Sequence, residues 1–200
     1  VIVAGLTGSI AMGKSETAKM FAARGIRVFD SDQAVHELYA KGGEAVGPLS
    51  AIAPAAIVDG AVDRQRLADL LREDPPLLKK IEAVVHPLVK SRQMMFLECA
   101  CADGAPLVVL DIPLLFETGR DKDVDKILVV SAPLAIQRER ALRRPGMTLE
   151  KLEFILARQT PDDEKRARAD HVIDTSCDLE TTARQVERII AELKSTGQAE

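Results

Sequence analysis

The chain has 200 residues, 46% hydrophobic and 29% charged, with a net charge of −4. That describes a globular protein with one sizeable core and room for a small appended domain; the acidic balance argues against a general nucleic-acid binder, and the absence of Trp against a stacking platform for single strands. There is no run of about eighteen apolar residues to span a membrane, and Cys99, Cys101 and Cys177 form no metal-ligand pattern with the three histidines, which points to buried or half-buried helix thiols in a reducing, cytoplasmic setting.

VIVAGL (1–6) is continuously apolar without the basic flank of a secretion signal, and reads as a strand buried on both faces. Next comes GSIAMGKS, from Gly8 to Ser15, and then SETAKMFAA, which places Ala18, Phe21 and Ala22 on one helix face. Strand, GxxxxGK[ST] and helix together are the context that a phosphate-cradling loop requires. Glycine at Gly8 and Gly13 permits close approach and backbone angles that side chains block. Loop N–H groups and the helix N-terminus then face phosphate oxygens; Lys14 supplies a cation to the terminal phosphates and Ser15 a hydroxyl ligand for Mg²⁺. This assigns nucleoside triphosphate binding to Gly8, Ser9, Ile10, Ala11, Met12, Gly13, Lys14, Ser15, Glu16 and Thr17. Ala11 demands a backbone angle that tolerates a Cβ. Glu16 is expected to point to solvent.

IRVFD (26–30) is the second strand, and DSD places Asp30 and Asp32 at its C-terminal end, where open α/β sheets bind ligands. A carboxylate there can take the proton of an acceptor hydroxyl, although an Asp after a strand is equally a helix cap. About seventy-five residues follow without a convincing strand. Helical periodicity marks DRQRLADLLRE (63–73), PLLKKIEAVV (76–85) and HPLVKSRQMMFLECACA (86–102), with Pro87 expected in the first turn of a new helix.

PLVVLDI (106–112) is the third strand; its Asp111 is either a strand-terminating residue or the acid beside the Mg²⁺ shell. KILVVSA (126–132) is the fourth. The segment 137–168 is helical, opens with QRERALRR and breaks at Pro145-Gly146. Arg140 and Arg144, four apart on one helix face, could converge on phosphates when a lid closes, with Arg138 and Arg143 off that face. Thr148 should cap a helix that buries Leu152, Ile155 and Leu156. HVIDT (171–175) is the fifth strand, and Asp178 caps a last helix with Ala183, Val186, Ile189, Ile190 and Leu193 on one stripe. The tail STGQAE should fray. Alternation of this kind predicts a P-loop-type three-layer α/β/α fold around a five-stranded parallel sheet, with a helical excursion and a helical lid.

Such loops serve hydrolysis, switching or transfer. A guanine-reading NKxD segment is impossible, since the chain contains no asparagine. A small-molecule kinase needs a carboxylate for the acceptor, a basic lid and an acceptor pocket, and each has a candidate.

Several segments, in order, resemble one family, the dephospho-CoA kinases: GLTGSIAMGKS, FDSDQAVHELY, VDRQRLADLLREDPPLLKKIEAVVHPLV, VVLDIPLLFE, QRERALRRPGMTLEKLEFILARQ and ADHVID. The resemblance implies transfer of the γ-phosphoryl of ATP to the ribose 3′-hydroxyl of dephospho-CoA, with ATP and Mg²⁺ as cofactors. It implies Asp32, Lys14, Arg140 and Arg144 as catalytic residues, Gln159 as a lid position, and Ser15 and Asp111 at the metal. Asp32, His86, Leu114, Leu115, Phe116 and Glu117 would meet the acceptor, with packing an equal alternative for His86. It further implies a discontinuous nucleotide core (1–35, 103–136 and 169–200), a helical CoA domain (36–102) and the lid (137–168). Small-molecule substrates, no nucleic acid, no membrane, and a monomer or weak homo-oligomer complete the expectation. Alternatives are a kinase for another nucleoside-like acceptor and a non-catalytic nucleotide binder. Ser9, Ala11, Glu16 and Thr175 depart from the family pattern; Thr175 stands where an asparagine often lies near the adenine.

Overall fold

The computed structural model describes residues 1–196; residues 197–200, the end of the tail expected to fray, lie outside the described residues. The chain divides into two compact units, Val1–Phe29 with Ala100–Glu200, and Asp30–Cys99.

In chain order the elements begin with β1 (Ile2–Thr7), α1 (Lys14–Ala23), β2 (Arg27–Asp30), α2 (Ser31–Tyr39) and α3 (Val46–Ile52). A short ribbon of β3 (Ile57–Val58) and β4 (Ala61–Val62) leads to α4 (Arg64–Glu73) and α5 (Leu77–Ala102). Then come β5 (Leu107–Asp111), β6 (Lys126–Ser131), α6 (Leu134–Leu142), α7 (Leu149–Leu156), α8 (Asp162–Ala167), β7 (His171–Asp174) and α9 (Leu179–Thr196). The five predicted strands form one sheet in the order β2-β5-β1-β6-β7, with β1 parallel to both neighbours and β6 parallel to β7. In the centre of that sheet Ala4, Leu6, Val109, Leu128 and Val130 are fully buried, which is why their runs are continuous rather than alternating. Phe21 of α1 and Val186, Ile189, Ile190 and Leu193 of α9 join this core. Asp178 caps α9 by accepting from the Thr181 N–H at 2.7 Å. Thr148 caps α7 in the same way, from the Lys151 N–H.

The second unit has its own core, in which Leu38, Leu49, Val62, Leu67, Leu77, Ile81 and Val85 pack together. Two expectations fail here. Pro87 does not open a new helix but lies inside α5, a single helix of 26 residues. Its ring removes one hydrogen bond, to the carbonyl four residues earlier, while Leu77, Ile81 and Val85 before it and Leu88 and Val89 after it pack on the same core. The apolar stripe therefore carries the helix through, and near its end Cys99 and Cys101 are exposed rather than buried as expected. The segment also contains a strand pair, β3 with β4, joined by Asp59-Gly60 at φ 50° and 79°. Two left-handed residues are what the tightest hairpin turn demands; its arms are too short to show periodicity.

Two further boundaries move. Helix α6 stops at Leu142 with Arg143 as its C-cap, so Arg144 lies past its end and shares no helix face with Arg140. Pro145 disfavours helical angles for the residue before it. At the other end of the chain Ser195 continues α9, donating its hydroxyl to the Glu192 carbonyl at 2.8 Å.

Candidate active site

The loop between β1 and α1 follows from close approach. A Cβ on Gly8 would sit 2.8 Å from the Val130 carbonyl oxygen, so only glycine lets the loop cross the end of β6. Gly13, at φ 89°, turns the chain into α1, whose first N–H groups have no partner within the helix and open towards an anion. Ala11 overturns the expected compatibility with a Cβ: its φ is 62°, in the left-handed region. This costs about 1–2 kcal/mol for an L-residue. Packing holds it there, since Ala11 is buried with Ala141 of α6 and Leu152 of α7, and Ile10, Met147 and Leu156 join them.

Met12 anchors the far side of the loop. Its sulfur accepts from the Ala132 N–H at 3.2 Å, and its carbonyl accepts from the Thr175 hydroxyl at 2.8 Å. The Met12 N–H in turn reaches the Ser9 carbonyl at 3.1 Å.

Lys14 is ion-paired with Asp111. Asp111 ends β5 opposite Leu6 of β1, so the parallel register brings it to the head of the loop. The pair is almost out of solvent, with Asp111 3% exposed. Ser15, the second residue of α1, is exposed. The next two residues do not aim their side chains at a phosphate. Glu16 pairs with Lys19 on the surface at 2.7 Å, in line with the expectation of a solvent-facing carboxylate. Thr17 is buried, and its hydroxyl donates to the Gly13 carbonyl one turn back at 3.2 Å.

Arg140 donates to the Thr175 carbonyl at 2.7 Å and to its hydroxyl at 3.2 Å. Thr175 thereby joins the loop, the end of β6 and α6. Arg144 is exposed. Met12, Ser131, Gln137, Asp162, Arg166, Asp174 and Ser176 line a cleft beside the loop.

In the second unit Asp30 is the N-cap of α2, accepting from the Gln33 N–H at 2.9 Å. This leaves Asp32 exposed in the first turn. Asp32 lines a cleft with Val35, Tyr39, Arg64, Leu67, Ala68 and Leu71, and the Arg64 guanidinium lies over the Tyr39 ring. Burial pushes the Tyr39 hydroxyl up, with Arg64 pulling the other way. His86 is exposed on α5, so the packing alternative falls away.

The segment Leu114–Glu117 departs from expectation. Leu114 is exposed, but Leu115 and Phe116 are buried, and the Arg168 guanidinium lies 4.3 Å from the Phe116 ring centroid. Glu117 is held by the fully buried Lys165 at 2.9 Å and by the Thr160 N–H at 2.8 Å. Burial raises the Glu117 carboxyl, and the bond to Lys165 with the Thr160 N–H outweighs it, leaving the pKa below the usual range. Phe116 and Glu117 therefore pack against α8 and the residues that flank it. Sequence reasoning missed Lys165, which sits in the charged run DDEKR like a solvated residue, and Gln137, which no pattern marks.

Comparison with known proteins agrees with this geometry. The family profile described as Dephospho-CoA kinase matches residues 2–181. The dephospho-CoA kinase of Rhizobium etli is 56% identical over 95% of this chain and 93% of its own length, and that of Agrobacterium fabrum 53% over 96% and 98%. A crystal structure from Thermus thermophilus superposes with a TM-score of 0.80 at 38% identity, covering 96% of this chain and 97% of the other. With its phosphate loop, its sheet order and relatives matched along almost their whole length, the chain belongs to the dephospho-CoA kinase family.

Proposed function

We propose that the protein transfers the γ-phosphoryl group of ATP to the ribose 3′-hydroxyl of dephospho-CoA, giving coenzyme A and ADP. The observation that carries this is the Gly8–Ser15 loop with Lys14 drawn to Asp111 at its head, in a chain of this family. The loop N–H groups and the N-terminus of α1 take the phosphates. Lys14 leaves Asp111 for the terminal phosphate oxygens as they arrive. Asp32 accepts the 3′-hydroxyl proton while that oxygen attacks phosphorus and the bond to the ADP oxygen breaks. Arg140 and Arg144 balance the charge spread over the transferring group.

Ser15 and Asp111 fit a Mg²⁺ site, because a hydroxyl and one carboxylate at the loop head are oxygen donors that leave positions for phosphates and water. Bound there, the ion would neutralise charge on the phosphates. His86 and Leu114 join Asp32 on the acceptor side; Leu115, Phe116 and Glu117 are withdrawn from it because they are buried or engaged. Residues 36–102 serve as the acceptor domain, 137–168 as the lid and the remainder as the nucleotide core. The protein acts in the cytoplasm as a monomer or weak homo-oligomer, without nucleic acid or membrane. The test is ADP release in the presence of ATP and Mg²⁺, with and without dephospho-CoA. Acceptor-dependent release is expected; its absence sinks the assignment.

A further inference from the structure

Ile10, in the middle of the phosphate loop, is gripped from both ends of the lid. Its N–H donates to Gln159 Oε1 at 3.0 Å, and its carbonyl accepts from Gln137 Nε2 at 2.9 Å. Gln137 lies in α6, where the lid begins, and is 2% exposed; Gln159 follows α7, near its end. The Ile10 N–H is thereby occupied by a side chain of this segment. The next residue is the left-handed Ala11, which packs on lid residues Ala141 and Leu152. A backbone geometry that its own side chain disfavours is thus held by two side-chain amides and a small apolar contact.

We propose that Gln137 and Gln159 are positioning residues: together they hold the loop in its phosphate-accepting shape through the two backbone groups of Ile10, so that loop and lid respond to ATP as one piece. This rests on the loop binding ATP. The two amides use different atoms, and that makes the clamp testable by one chemical change at each position. Gln159 acts as an acceptor, so Gln159→Glu keeps the bond. Gln137 acts as a donor, so Gln137→Glu replaces it with an oxygen facing the Ile10 carbonyl oxygen, and leaves that carbonyl unsatisfied.

The experiment is steady-state kinetics with ATP and dephospho-CoA, direct calorimetric titration of ATP, and thermal melting. Gln159→Glu should raise KM for ATP no more than a few-fold, from the charge it adds beside the phosphates, whereas Gln137→Glu should raise it about tenfold or more, with KM for the acceptor little changed in both. Gln159→Met, which has no comparable acceptor, should resemble Gln137→Glu and be rescued by Gln159→Glu. If Gln137→Glu does not fold, Gln137→Met removes the donor without burying a charge and carries the same expectation. The clamp is wrong if both Glu variants behave alike, or if the donor-deleting variants lower the melting temperature while ATP affinity stays at the wild-type value. Failure of the proposed reaction reads differently: the wild type would then show no acceptor-dependent turnover, while ATP titration would still report the clamp.

Discussion

From Gly8 to Met12 the phosphate loop is largely buried and its backbone is tied to the end of β6, to Thr175 and to both ends of the lid. Asp32 stands in the opposite condition, exposed in the first turn of α2, where the neighbouring Asp30 supplies the cap. The loop acts through N–H groups whose directions must be fixed beforehand. A proton acceptor needs only a carboxylate that can reach the hydroxyl. The contrast teaches where to expect tolerance: the loop should resist change in its supports, while the acceptor side should depend on one side-chain group.

The largest effect tests the acceptor side of that contrast. Asp32→Ala should lower kcat by about 10²–10⁴-fold, the usual worth of a positioned acid or base. ATP affinity and melting temperature should stay near wild type, because Asp32 is exposed and does not cap α2. Calorimetric titration of ATP alongside turnover checks this; a parallel loss of ATP affinity would show that Asp32 also shapes the nucleotide site.

The same contrast explains what could be seen in the sequence. Gly8, Gly13, Lys14 and Ser15 are legible because backbone angles and close approach restrict residue type, so the loop writes its geometry into its spelling. The five strands are legible through their continuous apolar runs. In DSD the strand-end position left two acids, and the family resemblance pointed to Asp32; the cap bond gives Asp30 a structural task that no pattern had set. Arg140 and Arg144 shared a helical spacing, yet Pro145 ended the helix before Arg144. Pro87 was misread in the opposite direction, because a proline's local preference gave way to packing on either side of it. Lys165, Gln137 and Thr175 act through partners more than twenty residues away in sequence, and no local pattern encodes such pairings.

A second prediction tests how firmly the foot of the lid is built. Lys165 is completely buried against Glu117, so Lys165→Met leaves an unpaired carboxylate below the surface. Removing one partner of a buried pair costs about 3–5 kcal/mol, a fall in melting temperature of roughly 10 °C for a chain of this size. Adding Glu117→Gln to Lys165→Met should recover part of the loss. If the single variant melts like the wild type, the lid's foot is not rigid and the comparison loses its basis.

Within the lid the two arginines sharpen the contrast further. Arg144 is exposed and past the end of α6, whereas Arg140 is held on Thr175. Arg144→Ala should lower kcat about ten- to a hundredfold with ATP affinity within about twofold, the pattern of an interaction made only in the transition state. Arg140→Ala should weaken ATP binding as well, because it removes two bonds that hold Thr175, the residue whose hydroxyl supports Met12 of the loop. If both variants lose kcat alone, Thr175 does not transmit a positional constraint.

The smallest effect marks where the fixed region ends. Asp170 lies at the start of β7, at the edge of the sheet away from the loop, and accepts from the Ile127 N–H at 2.8 Å and from Lys126 at 3.1 Å. Burial raises its carboxyl, and the Ile127 N–H and Lys126 outweigh that, leaving the pKa below the usual range. A carboxyl whose pKa is depressed on folding adds stability above its unfolded pKa, about 3.9, and loses it as pH falls through the folded value. Asp170→Asn keeps an acceptor for Ile127 but removes the charge. It should lower the melting temperature by about one to two degrees at pH 7. The difference from wild type should close as pH falls through the folded value, and kcat and both KM values should not move. A kinetic change in this variant would mean that constraint reaches the site from the far edge of the sheet, and that the boundary between fixed support and exposed side chain is drawn too close to the loop.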